Sequence, residues 1–175
     1  VDDDRIAEIV GQWGRERPDL DPSPLLIIGR IQQLAAVLDV ALRPPFAAAD
    51  LGNGDFDVLA ALRREGEPYT LTAGQLSQRM LVTTGAVTKR VDRLIARGLV
   101  SRSVSTADAR GRVVGLTPAG VALTDRLIEE HLANEATILR GLTDSDRRAL
   151  ERLLAALNRT LTSRGLGPEG ESQVG

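Results

Sequence analysis

Between Thr72 and Gly120 the chain runs through two short helix signals, a brief turn and two strand-like runs. Few folds accept that order at that density. Thr72 is a suitable cap for a helix over 73–80, and Thr83, after the Leu81-Val82 turn, for a second over 84–97. Gly98 fits the left-handed residue that commonly follows a helix end. Leu99–Arg102 and Arg112–Leu116 then read as two strands, with residues 103–111 as a long hairpin tip. A helix-turn-helix followed directly by a hairpin is the winged-helix arrangement, with the hairpin as the wing.

The flanking segments are helical. Ile6, Ile9, Val10 and Trp13 recur at one-face spacing and predict a helix to about Glu16, before Pro18, Pro22 and Pro24 break the chain. Leu25, Ile28, Ile31, Leu34, Leu38 and Leu42 predict a second helix over 24–43, which Pro44-Pro45 is expected to stop. Asn53 is the expected cap of a third helix, to Arg64, ended by Gly66 and Pro68. Thr117-Pro118 opens a long helix to about Leu139. Thr143 with Asp146 forms a capping-box signal for a last helix to about Leu161. The expected class is mainly α with a small β-hairpin wing: a winged helix-turn-helix with a helical dimerisation region. It divides into N-terminal helices with a ligand crevice (1–45), the winged core (46–116), C-terminal dimerisation helices (117–164) and a disordered tail (165–175).

Composition narrows the chemistry. The 175 residues are 42% hydrophobic and 26% charged, which are globular values. Cysteine is absent, so there is no disulfide framework and no thiolate metal site, and the single histidine, His131, gives no basis for an imidazole cluster or a catalytic triad. No metal, cofactor or catalysis is expected; Asp55/Asp57 and Glu129/Glu130 read as surface charge, and no glycine loop suited to cradling phosphate is present. No apolar run near twenty residues is read from the sequence, which argues against a membrane partner. The acidic start, Val1 to Asp4, is unlike a signal peptide and points to the cytoplasm.

The net charge of −2 conceals a strong asymmetry. Residues 79–112 carry eight basic side chains against two acidic ones, a net of +6, which leaves −8 for the rest. A basic segment on an acidic body is the electrostatic footprint of a nucleic-acid binder. At about 100° per residue along 84–97, Val87, Val91, Leu94 and Ile95 form the core stripe. Gly85, Lys89, Arg93 and Ala96 lie opposite. Lys89 and Arg93 would reach phosphates or guanine edges, and Thr83, Thr84 and Thr88 phosphate oxygens or thymine methyls. Arg90 sits between the two faces, able to serve phosphate or an interior anion. Arg102 and Arg112 extend the basic surface along the hairpin. Arg110, at its tip with Asp108 nearby, suits a narrow minor groove. Aromatics are confined to Trp13, Phe46, Phe56 and Tyr69, outside the basic segment, so a base-stacking platform for single strands or RNA is not available there. Double-stranded DNA is the expected partner.

Phe56–Leu62, Leu76, Gly85–Leu94, Gly98–Arg102, Asp108–Gly111 and Leu116–Gly120, in that order and spacing, resemble the MarR family of bacterial regulators over about residues 25–160. Ser105 departs from an acidic residue common at the start of the wing loop in that family. The resemblance implies a homodimer knitted by the terminal helices, with each recognition helix in a major groove of a near-palindromic site. It also implies a repressor released by phenolic or aromatic acids. A narrower likeness is to the urate-responsive branch, with an added N-terminal helix bearing a tryptophan, an aspartate and an arginine seven apart, and a recognition-helix arginine. Here these are Trp13, Asp57, Arg64 and Arg90. Asp57 and Arg64 lie about 20° apart on their helix, away from Val58, Leu59 and Leu62. The likeness makes these four the candidate site for a small aromatic or anionic effector, urate or a phenolic acid among them. Other readings are a winged helix serving protein contacts alone and a DNA-binding regulator without an effector.

Overall fold

The computed structural model of the chain describes residues 4–80, 84–104 and 112–165, with only the backbone described at positions 53 and 84. Two compact units divide it, Val1–Pro44 and Pro45–Gly175. The expected disordered tail lies almost wholly outside the described residues.

In the first unit, α1 (Arg5–Glu16) begins where the Asp4 carboxylate accepts the Ala7 backbone N–H at 3.1 Å. Arg30, on α2 (Pro24–Ala41), pairs with the same carboxylate and ties the two helices together. α2 spreads its apolar side chains around most of its circumference, interrupted by Arg30, Gln32, Gln33 and Asp39, and has no buried residue in the single chain. The absence of a long apolar run, expected from the sequence, needs correction. An 18-residue stretch within Pro24–Ala48 has a mean hydropathy of 1.7 and by length and composition alone could cross a membrane, although none of that stretch is buried. The one-face periodicity hid this, because Ile27, Val37 and Val40 add apolar surface off the counted stripe.

Pro44-Pro45 does more than stop α2. It opens a short helix, α3 (Pro44–Ala48), whose Phe46 is buried; proline is well placed at a first helical position, where its missing N–H is not required. α4 (Asn53–Arg64) is capped at Gly52 rather than Asn53, with the Asp55 carboxylate reaching back to the Gly52 N–H at 3.2 Å. Next comes a strand the sequence reading did not contain, β1 (Thr70–Thr72). α5 (Ala73–Met80) and α6 (Thr84–Ala96) form the helix-turn-helix, and β2 (Val100–Val104) and β3 (Arg112–Leu116) the hairpin. The sheet is antiparallel in the order β1-β3-β2, so β3 is central, with Val114 opposite Leu71 on one side and Arg102 on the other. α7 (Pro118–Ile138) is capped by Thr117, and a single 3-10 turn (Leu139–Gly141) leads to α8 (Asp144–Ser163). The capping box at α8 is the expected one: Thr143 accepts the Asp146 N–H at 3.2 Å and Asp146 accepts the Thr143 N–H at 3.3 Å.

The core lies where α4, α5, α6, α7 and the sheet meet. Leu59, Leu62, Leu71, Leu76, Leu94 and Leu127 are fully buried there. Full burial of one such side chain contributes about 1.5–3 kcal/mol, and this cluster fixes the reading helix against the body.

Candidate nucleic-acid interface

α6 sits on the core through Val87, Val91 and Leu94, each at most 1% exposed, as its periodicity predicts. Gly85, Thr88 and Lys89 are exposed on the far side. Lys89 has no ion pair among the described residues. Thr84 keeps only its backbone in the description, and Thr83 and Arg110 lie outside it, as do the rest of the wing tip, residues 105–111.

Arg93, Arg97 and Arg102 are engaged within the protein. The Arg93 guanidinium donates to Asp55, 2.5 Å from Nη2 to Oδ1 and 3.4 Å from Nε to Oδ2. Arg97 donates to the main-chain carbonyls of Asp50 (2.5 Å) and Ala49 (2.8 Å), which the end of α3 leaves open. Arg90 lies over Gly54: a Cβ at that glycine would come 2.3 Å from the Arg90 Cζ. Arg93 is expected from helical spacing to face DNA; in the free chain its guanidinium meets Asp55. Helical spacing gave its direction but carried no information about Asp55, 38 residues earlier. Asp55, expected from the sequence to be surface charge, is 6% exposed and serves both Arg93 and the start of α4. Arg102 on β2 pairs with Asp92 of α6 at 2.8 Å and so fastens the hairpin to the reading helix. Arg112, on β3, is exposed. With Thr88 and Arg102 it lines a crevice of about 160 Å³ between α6 and the hairpin.

Of the four expected ligand residues, three lie in the second unit. Asp57 and Arg64 are both exposed on α4, as their spacing predicts. The Asp57 carboxylate stands 4.0 Å from the Arg90 Nη1. That nitrogen is buried and has no hydrogen-bond partner among the described residues. Neighbouring protein takes enough water from the half-exposed Asp57 carboxylate to raise its pKa above its ordinary value, despite the opposing pull of Arg90, Arg64 and His131. Trp13 belongs to the first unit, where it is half exposed and lines an open crevice of about 250 Å³ with Arg17, Leu20, Asp21 and Leu25. Sequence reasoning missed an aromatic group in the second unit: Phe46 and Phe56 stack at 4.4 Å, and the His131 ring stands 5.1 and 5.7 Å from them. Its signal was present in the scarcity of aromatics, since two of the four fall ten residues apart.

A helix-turn-helix seated on a helical core, with a hairpin fastened beside its second helix, defines a winged-helix DNA-binding regulator. The MarR family model matches residues 49–111. The chain is 35% identical over 158 residues to the HTH-type transcriptional regulator PecS of Dickeya dadantii, covering 90% of this chain and 95% of that one. It superposes on E. coli MarR complexed with operator DNA with a TM-score of 0.67 at 25% identity, over 83% of this chain and 96% of that one. It also superposes on Bordetella bronchiseptica BpsR, whose DNA binding is regulated by 6-hydroxynicotinic acid, with a TM-score of 0.63 at 26% identity, over 75% and 98% of the two chains. The chain belongs to the MarR family of DNA-binding transcription regulators.

Proposed function

We propose that the chain is a cytoplasmic homodimeric repressor that leaves a near-palindromic operator when a small aromatic or anionic molecule binds. The observation that carries the effector is the Arg90 Nη1: among the described residues it has only the distant Asp57 carboxylate and no hydrogen bond, a buried cationic nitrogen left without a hydrogen bond is costly, and an anion is the group that would satisfy it. Arg90 belongs to the recognition helix, so an anion held there acts directly on the reading head. Asp57 and Arg64 complete the proposed ligand set of this unit, and Trp13 is a further candidate within the first unit. The likeness to BpsR supports an aromatic acid, and urate belongs to the same chemical class of flat anions. The proposed DNA contacts are Thr88, Lys89 and Arg112, with Thr83, Thr84 and the wing's Arg110. Arg102 serves beside them by holding the hairpin. The homodimer is supported by exposed leucines along α8 and apolar residues around α2.

The ligand weakens DNA binding only as far as it prefers the conformation that does not bind DNA. The test is fluorescence anisotropy of the full chain on duplex DNA from upstream of its own gene, at fixed salt, with urate and 6-hydroxynicotinate titrated in afterwards. Selective binding reversed by either compound in the wild type, and by neither in Arg90→Gln, is the expected result. Selective binding indifferent to both would remove the effector site and leave the regulator.

A further inference from the structure

The recognition helix is held by more than its apolar stripe. Arg90 and Arg93 lie three residues apart on α6 and Arg97 follows just past its end, so the three basic side chains fall on one side of the reading segment. All three engage residues 49–57, the corner where α3 passes into α4: Arg97 the carbonyls of Ala49 and Asp50, Arg93 the carboxylate of Asp55, Arg90 the surface of Gly54. Asp55 is central to this arrangement. Its side chain is 9% exposed, whereas that of Arg93 is 57% exposed. One carboxylate thus fixes both the first turn of α4, through the Gly52 N–H, and the middle of α6, through Arg93.

We propose that Asp55 and Arg93 are a positioning pair for DNA reading, which sets the rotation of α6 in the groove, and that Arg93 stays on Asp55 when DNA is bound. The physical reason lies in the burial of Asp55. If Arg93 moved to a phosphate it would leave a nearly buried carboxylate without its cation, and breaking such a pair from one side is strongly unfavourable. An exposed phosphate contact, in contrast, is available to Lys89 and Arg112 without breaking any ion pair among the described residues.

The two roles separate in a binding experiment. The probes are a duplex selected from a random pool by the wild-type chain and a shuffled duplex of equal length. Asp55→Asn keeps an oxygen for the Gly52 N–H, and Arg93→Gln changes a largely exposed side chain, so both variants and the double variant should fold, which circular dichroism checks. A positioning pair predicts that each single variant loses about tenfold in affinity for the selected duplex. The double variant should lose no more than either single one, and binding to the shuffled duplex and the salt slope should stay as in the wild type. A phosphate contact predicts instead that Arg93→Gln weakens both duplexes alike and lowers the salt slope by about one. That result, additive losses, or an Asp55→Asn variant that binds as well as wild type would overturn the proposal.

Discussion

An aspartate 4.0 Å from an arginine ordinarily titrates below its free value, but burial raises the Asp57 pKa against that pull. The sign of the consequence follows from linkage. With a raised pKa the folded chain binds the proton more tightly than the unfolded chain, so stability falls as pH rises from the ordinary carboxylate value of about 3.8 through the higher folded value. At neutral pH the ionised Asp57 is therefore a net cost. Asp57→Asn should melt higher than wild type at pH 7, by less than about 1 kcal/mol because the side chain is more than half exposed. The difference should shrink toward acid pH, where both forms are neutral. Paired melting curves at pH 7 and pH 4 test this, and a variant that melts lower at pH 7 would show that Arg90 needs the negative charge. The positions of Asp57 and Arg64 were legible in the sequence, since α-helical spacing alone puts both on the exposed side. The burial of Asp55 was not, because its partner arrives from α6 and its depth depends on where that helix packs.

At the level of elements, the boundaries that follow local rules were readable. α1, α5, α7 and α8 begin and end close to their capping and proline signals. Two elements were not. α3 has only five residues, too short for any period to register, and its prolines read equally well as a stop. β1 has three residues and exists because it pairs with β3, more than forty residues later. A helix start also exerts a constraint no motif announces. Gly120, in the first turn of α7, lies so close to β2's approach that a Cβ there would stand 2.0 Å from the Leu99 carbonyl oxygen and 3.2 Å from Leu116 Cδ2. The nearer atom is backbone and has little freedom to move. Gly120→Ala should therefore lower stability by about 1–3 kcal/mol or more through overpacking, despite alanine's better helix propensity. The readout is the urea midpoint, and an unchanged midpoint would mean that α7 and Leu99 separate readily. The winged region is the larger beneficiary of this contact, since the Thr117 hydroxyl also donates to the Gly98 carbonyl at 2.7 Å, tying α7 to the end of α6.

Across the whole molecule, the apolar surface left outside the core sets the argument. α8 has no buried residue, yet Leu150, Leu153, Leu154 and Leu161 are 40–62% exposed along it. On α2, Ile27 and Val40 are more than 60% exposed. An amphipathic helix with its apolar side in water is unstable by itself, and patches of this extent mark interaction surfaces in soluble proteins. A second copy of the chain is the proposed cover. In a two-fold dimer each substitution occurs twice, so a charge placed in that surface acts on both halves of the interface. Leu154→Asp removes the burial of one leucine per chain, about 3 kcal/mol or more per dimer, and buries a carboxylate without a partner if the dimer forms at all. Sedimentation should find the wild type at twice the chain mass without detergent and Leu154→Asp shifted to single chains. Operator affinity should fall with it, since two reading helices on one duplex require the dimer. The control is Arg159→Ala, an exposed change on α8 that leaves the leucines intact and should leave the mass unchanged. A wild type that sediments as single chains while still binding the operator would separate DNA recognition from dimerisation and leave the exposed leucines to another partner.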